Sequence, residues 1–267
     1  MPGRPFLQIP GPTLVPERIV RAMARPIIDH RGPKFADLLQ TCLEGLKRVF
    51  QTRDGHIALY PGSGTGAWEA AIVNTLSPGD RVLACVNGHF STGFAKTAAA
   101  YGIECDRLEV PYGAGVPADE VEARLRADEA REIRAVLMVH NETSTGVTSN
   151  IAAVRAAMDR AGHPALLLVD TVSSLASIDF RFDEWRVDVA LTGPQKGLML
   201  PPGMAILAVS ERALTASEKA RCPRSYWDWQ PVLERNRRGE FPYTPATVLL
   251  FGLEEAIAML EEEELSN

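Results

Sequence analysis

Lysine is scarce in this chain. Only five of its 28 basic residues are lysine (Lys34, Lys47, Lys96, Lys196 and Lys219), so arginine is the default cation. Arginine stays charged at any usable pH and cannot act as an amine nucleophile, whereas a lysine in a partly apolar pocket can lose its proton and form a Schiff base. Other absences narrow the class further. There is no C-x-x-C and no histidine at metal-ligand spacing. The four cysteines, Cys42, Cys85, Cys105 and Cys222, are far apart, as expected of reduced, mostly buried thiols in a cytosolic enzyme. No segment reads as a secretory leader, and none approaches the roughly 20 apolar residues that a bilayer requires. A basic surface for nucleic acid is lacking too, since the net charge is -6 and six acidic residues crowd the final EEAIAMLEEEEL. These absences set the expectation of a soluble, cytoplasmic protein that binds neither nucleic acid nor membrane.

What is present is a chain of 267 residues with 46% hydrophobic content, enough for a sizeable core in one large domain or two modest ones. Short apolar runs alternate with helix-like stretches. Strands are expected at 56–60, 81–86, 105–110, 134–139, 165–169, 187–191 and 204–209, with amphipathic helices at 66–76, 118–130 and 150–162 and a last one over 245–264. Continuous apolar strands separated by helices indicate an α/β fold, a mainly parallel sheet with helices on both faces. Such sheets bind ligands at the carboxyl ends of their strands. No repeat, low-complexity segment or linker interrupts the pattern.

Three features fall at those strand ends. The first is PGSGTGAWEAA, residues 61–71, between a strand and a helix. Its small residues and first helical amides, with the Ser63 and Thr65 hydroxyls, suit a phosphate; a tight strand-to-helix turn uses the same residues. A dinucleotide site is also open to such a loop, but the spacing is G-x-G-x-G rather than G-x-G-x-x-G, and Asp80 lies in a turn before the next strand rather than at a strand end. The second is LLLVDTVSS, residues 166–174, in which Asp170 follows an apolar strand. A carboxylate there needs a cation, for which a protonated pyridine nitrogen would serve, or else it caps the next turn. The third is Lys196 in TGPQKGLMLPPG, residues 192–203, read either as an ordinary surface lysine or as a reactive amine. Phosphate cup, buried carboxylate and loop lysine together are the parts that hold pyridoxal 5'-phosphate.

With these motifs the sequence resembles the class V branch of fold type I pyridoxal-phosphate aminotransferases, and within it the serine–glyoxylate and alanine–glyoxylate aminotransferases. IPGPTLVP, DHRGPKF, SGTG, NGHF, HNETSTGV, VDTVSS, TGPQKGLMLPPG and FPYTPAT carry the resemblance along essentially the whole chain. The resemblance implies that Ser63, Gly64, Thr65 and Gln195 bind the cofactor phosphate, with Phe90 and Val172 on opposite faces of the ring. It places Thr143 near the phenolic oxygen, Asp170 at the pyridine nitrogen and Lys196 in the Schiff base. It also implies a homodimer in which Thr244 reaches the neighbouring subunit's phosphate.

The implied activity is transfer of the amino group of L-serine to glyoxylate, with aspartate or alanine as other donors, so that the partners are an amino acid and a 2-oxo acid. Lys196 would be both covalent partner and general acid/base. The implied domains are an N-terminal arm, 1–20, and a cofactor-binding large domain, 21–267. The final helix would lead to a small C-terminal domain that this chain lacks, along with the arginine that clamps a substrate carboxylate. Pro194 stands where many relatives have serine, and Phe241 where some have tyrosine. A desulfurase or lyase is the rival chemistry, which would need a mobile reactive cysteine, with Cys222 the nearest to a loop. A catalytically silent cofactor-binding fragment is the rival of another class.

Overall fold

The computed structural model describes residues 7–263. Residues 1–6 of the expected N-terminal arm and residues 264–267 of the tail lie outside the described residues. Seven strands form one sheet: β1 (His56–Pro61), β2 (Arg81–Val86), β3 (Glu104–Glu109), β4 (Ile133–Val139), β7 (Leu166–Asp170), β8 (Val189–Thr192) and β9 (Met204–Val209). The spatial order is β1-β9-β8-β7-β4-β2-β3. All neighbours run parallel except β9, which is antiparallel to both β1 and β8. Each strand matches an expected apolar run to within two residues. A short ribbon, β5 (Asn141–Glu142) with β6 (Val147–Thr148), was not foreseen; two-residue strands carry no periodicity to read.

Strand side chains alternate between two apolar layers. Ile57 and Leu59, with Leu167 and Val169, face α2 (Pro33–Phe50), α5 (Ala118–Ala127), α6 (Ile151–Arg160) and α9 (Thr247–Glu262). Ala58 and Tyr60, with Leu166 and Leu168, face α3 (Gly64–Thr75), α4 (His89–Ala100), α7 (Glu211–Ser217) and α8 (Trp229–Asn236). Because both faces are covered, β7 and β9 are buried at every position, and the period of two disappears from the sequence. Helix α2 starts with Pro33 after Gly32 and buries a stripe from Phe35 to Phe50 at helical spacing. The remaining helix, α1 (Glu17–Met23), packs against α9.

Several helix ends differ from the expectation by two or three residues, α6 and α9 among them, and two of the differences have a local cause. Helix α3 begins two residues early, at Gly64, because the Ser63 side chain accepts from the Gly66 amide at 3.2 Å and caps it. Helix α5 stops at Ala127, since Asp128 turns the chain by accepting from the Ile133 amide at 2.8 Å.

Register decides what meets at the top of the sheet. Val139 pairs with Asp170, and Asp170 with Leu191, so β4, β7 and β8 end level. The reversed β9 starts where they stop, and the Gly62 amide donates to the Gly203 carbonyl at 3.0 Å.

Candidate functional site

At that edge lies a cavity of about 190 Å³ lined by Ser63, Gly64, Thr65, Phe90, Thr143, Asp170, Val172, Gln195 and Lys196. Nine of the ten expected site residues therefore converge, although the chain separates them by as much as 133 positions from Ser63 to Lys196. Thr244 does not line this cavity; it is exposed in the segment before α9. Among the described residues, no arginine lines the cavity.

Asp170 is the last residue of β7 and is buried. Its Oδ2 accepts from the Trp68 indole at 2.7 Å, and its Oδ1 from the Val172 amide at 2.7 Å. Burial pushes this carboxyl up to about 6, against the two donors and the Lys196 charge, which pull it down. Lys196 is half-buried, and desolvation lowers its amine below the usual lysine range while the Asp170 charge opposes that. The two groups thus form a carboxylate and an amine each displaced toward neutrality, as a proton-moving site requires.

The cup is built by α3. The Gly64 and Thr65 amides stand in its first turn, where no helical carbonyl reaches them, and the helix dipole favours an anion there. Gly64 also needs its missing side chain: a Cβ would lie 2.8 Å from Val172 Cγ2. On the far side, Gln195 Oε1 is buried without a partner, an acceptor a bound ligand's donor would satisfy.

Several residues escaped the sequence reading. Trp68 holds Asp170 and stacks on Phe94 at 5.7 Å between centroids; it sits within the quoted cup motif, but nothing local distinguishes it from a core tryptophan. Glu142 is wholly buried and accepts from the Phe90 amide (3.2 Å), the Ser91 amide (2.9 Å) and the Ser144 hydroxyl (2.7 Å). Burial raises that carboxyl, yet these bonds outweigh burial and leave it below its ordinary value. Glu142 thereby fixes the turn that presents Phe90 and the loop that carries Thr143. Gly11, Pro12, Val139, Asn141, Ser173 and Pro202 complete the lining, Pro202 because the reversal of β9 returns the chain to this edge.

Other features bear on the rival chemistry. Cys222 is buried, which raises its thiol above the ordinary range and disfavours the thiolate a desulfurase would need. Phe241 packs edge-on against Phe35 at 6.2 Å between centroids, and the Pro194 carbonyl accepts from Leu200 at 3.0 Å. Among the described residues no helix is long and apolar enough to cross a membrane, and no cluster of ligands could hold a metal ion.

A mostly parallel sheet with a helix-end cup, a buried aspartate and a lysine at one edge defines a fold type I transferase. The same fold occurs in the crystal structure of alanine–glyoxylate aminotransferase from Nostoc sp., which superposes with a TM-score of 0.92 at 31% identity, covering 100% of this chain and 70% of that one. Residues 6–267 match the family Aminotransferase class-V, and the chain belongs to that family. It is 51% identical to the L-aspartate–glyoxylate aminotransferase of Paracoccus denitrificans over 97% of its length and 65% of the relative's. It is 49% identical to the serine–glyoxylate aminotransferase of Methylorubrum extorquens over 100% of its length and 67% of the relative's. The chain thus spans about two thirds of the length of these curated relatives. The family implies pyridoxal phosphate, and the open amides of the cup and the buried Asp170 fit it.

Proposed function

We propose that the chain is a pyridoxal-phosphate-dependent aminotransferase that moves the amino group of a small amino acid, L-serine first, to glyoxylate. One observation carries the reading: Lys196 and the buried Asp170 share a cavity with the open end of α3. When bound, pyridoxal phosphate supplies an electron sink for the bond broken at the substrate's α-carbon. The chain's residues do the rest. The Gly64 and Thr65 amides, the Ser63 and Thr65 hydroxyls and the Gln195 Nε2 amide would hold the phosphate, while Val172 and Phe90 would flank the ring. Asp170 would keep a proton on the ring nitrogen, and Trp68 holds the Asp170 carboxyl in place. Lys196 Nζ would supply the covalent link, be freed when the donor's amine takes its place, and then move the α-proton as general base and acid.

The likeness to an aspartate-using relative at 51% identity supports L-aspartate as a second donor. The cytoplasm is the compartment that suits four free cysteines. A homodimer with Thr244 contributed across the interface completes the reading, supported by an exposed Thr244 and by exposed apolar side chains at Leu14, Val20 and Ile27. The test is the absorbance of the chain loaded with pyridoxal phosphate. Serine should bleach the band of lysine-linked cofactor and glyoxylate should restore it. A band indifferent to serine and to aspartate defeats the transaminase reading and leaves a cofactor-binding chain.

A further inference from the structure

An N-terminal strap crosses the lysine. The Lys196 Nζ donates to the Pro10 carbonyl at 2.8 Å. Three residues on, the Thr13 amide donates to the Gln195 carbonyl at 3.0 Å, and the Thr13 hydroxyl lies 3.5 Å from the Gln195 and Lys196 carbonyls. Between them Gly11 has a φ of +122°, and a Cβ on it would stand 2.5 Å from Lys196 Cδ and 2.8 Å from Nζ. Strap and lysine therefore occupy adjoining space that admits no side chain. Gly11 and Pro12 line the cavity described above, whereas Pro10 and Thr13 line a second one of about 310 Å³ on the other side of the lysine. The strap is the partition between the two.

We propose that residues 10–13 are a positioning element for Lys196. The Pro10 carbonyl receives the amine whenever it is not covalently engaged, and Gly11 is the residue that permits this contact. The inference deepens, and rests on, the reading of Lys196 as the reactive amine. A free lysine carries about 2 kcal/mol of rotamer entropy. An amine tethered at the cavity wall spends less of its time in unproductive rotamers and leaves the cavity centre to the incoming donor. The tether also holds the amine's pKa, because a carbonyl acceptor favours the charged form. The charged groups that face this amine are Asp170 from β7 and, across the second cavity, Glu263 after α9. Both are unchanged in the variants below.

The test compares the full chain with Gly11→Ala and with Thr13→Pro, which deletes the amide bonded to Gln195. In the cofactor-free protein, the acylation rate of Lys196 by a small amine-reactive reagent is followed by mass spectrometry against pH. The variants should show the midpoint for Lys196 moved down by about half a unit to one unit, the size of one net hydrogen bond. Lys219 should titrate as before. A strap that merely stabilises the fold would lower the unfolding midpoint and leave the Lys196 midpoint in place, which overturns the proposal. If Gly11→Ala does not fold, Thr13→Pro decides by the same criterion. Pyridoxal phosphate is then added. A wild-type chain that forms no lysine-linked absorbance band refutes the cofactor reading, while the acylation comparison still decides the strap.

Discussion

A lysine and an aspartate hold opposite halves of one requirement. Lys196 must be an amine that can lose a proton, and Asp170 a carboxylate that can keep a cation; burial moves both toward neutrality. Lys196→Ala should abolish the lysine-linked absorbance band, and retention of the band would refute the assignment of the link. Asp170→Asn tests the pH linkage of the cofactor-free chain. The folded carboxyl, at about 6, lies above its ordinary 3.8, so between these values the native state binds more protons than the unfolded one. Stability should therefore fall as pH rises through that window, by up to about 3 kcal/mol. The asparagine variant should lose this slope, measured by urea unfolding at pH 4 and pH 6. Trp68→Phe keeps the ring but removes the indole donor; leaving Asp170 Oδ2 without it should cost about 1–3 kcal/mol near neutral pH. Chemical character at these positions was legible from the sequence, through the scarcity of lysine and the strand preceding Asp170. Trp68 and Glu142 were not, because their roles lie in partners 102 and 51 residues away.

Helices do the aiming. The open first turn of α3 makes the cup, and it can approach Val172 only because residue 64 has no side chain. Gly64→Ala should weaken pyridoxal phosphate binding by about tenfold or more, given a typical overpacking strain of 1–3 kcal/mol, with unfolding midpoints reporting the strain separately. Unchanged affinity would show that the turn is packing alone. Far from the site, α2 and α9 touch so closely that a Cβ on Gly45 would lie 2.6 Å from Ile257 Cγ2. Gly45→Ala should destabilise by about 1–3 kcal/mol, and Ile257→Ala in the same chain should return part of that loss, a coupling a double-mutant cycle would detect.

Across the whole molecule, the arrangement depends on one strand running backwards. The reversal of β9 puts Pro202 and Gly203 beside Gly62 and closes the rim of the cavity. Assembly belongs to this scale as well. Sedimentation of the loaded protein should give twice the 29.1 kDa chain mass. A monomer with cofactor bound would refute the interfacial role of Thr244 while leaving the single-chain site intact.

The sequence by itself determined the class of fold and most of the chemistry. Apolar runs long enough for strands, separated by amphipathic helices, left little freedom in architecture, and residues whose type suits a phosphate, a ring nitrogen or an imine stood out at strand ends. Only the tertiary structure decided which groups hold those residues in place. Strand order, the direction of β9, the Trp68–Asp170 contact and the strap over Lys196 depend on packing between distant segments. Local sequence fixes what a side chain can do; long-range packing fixes what it meets.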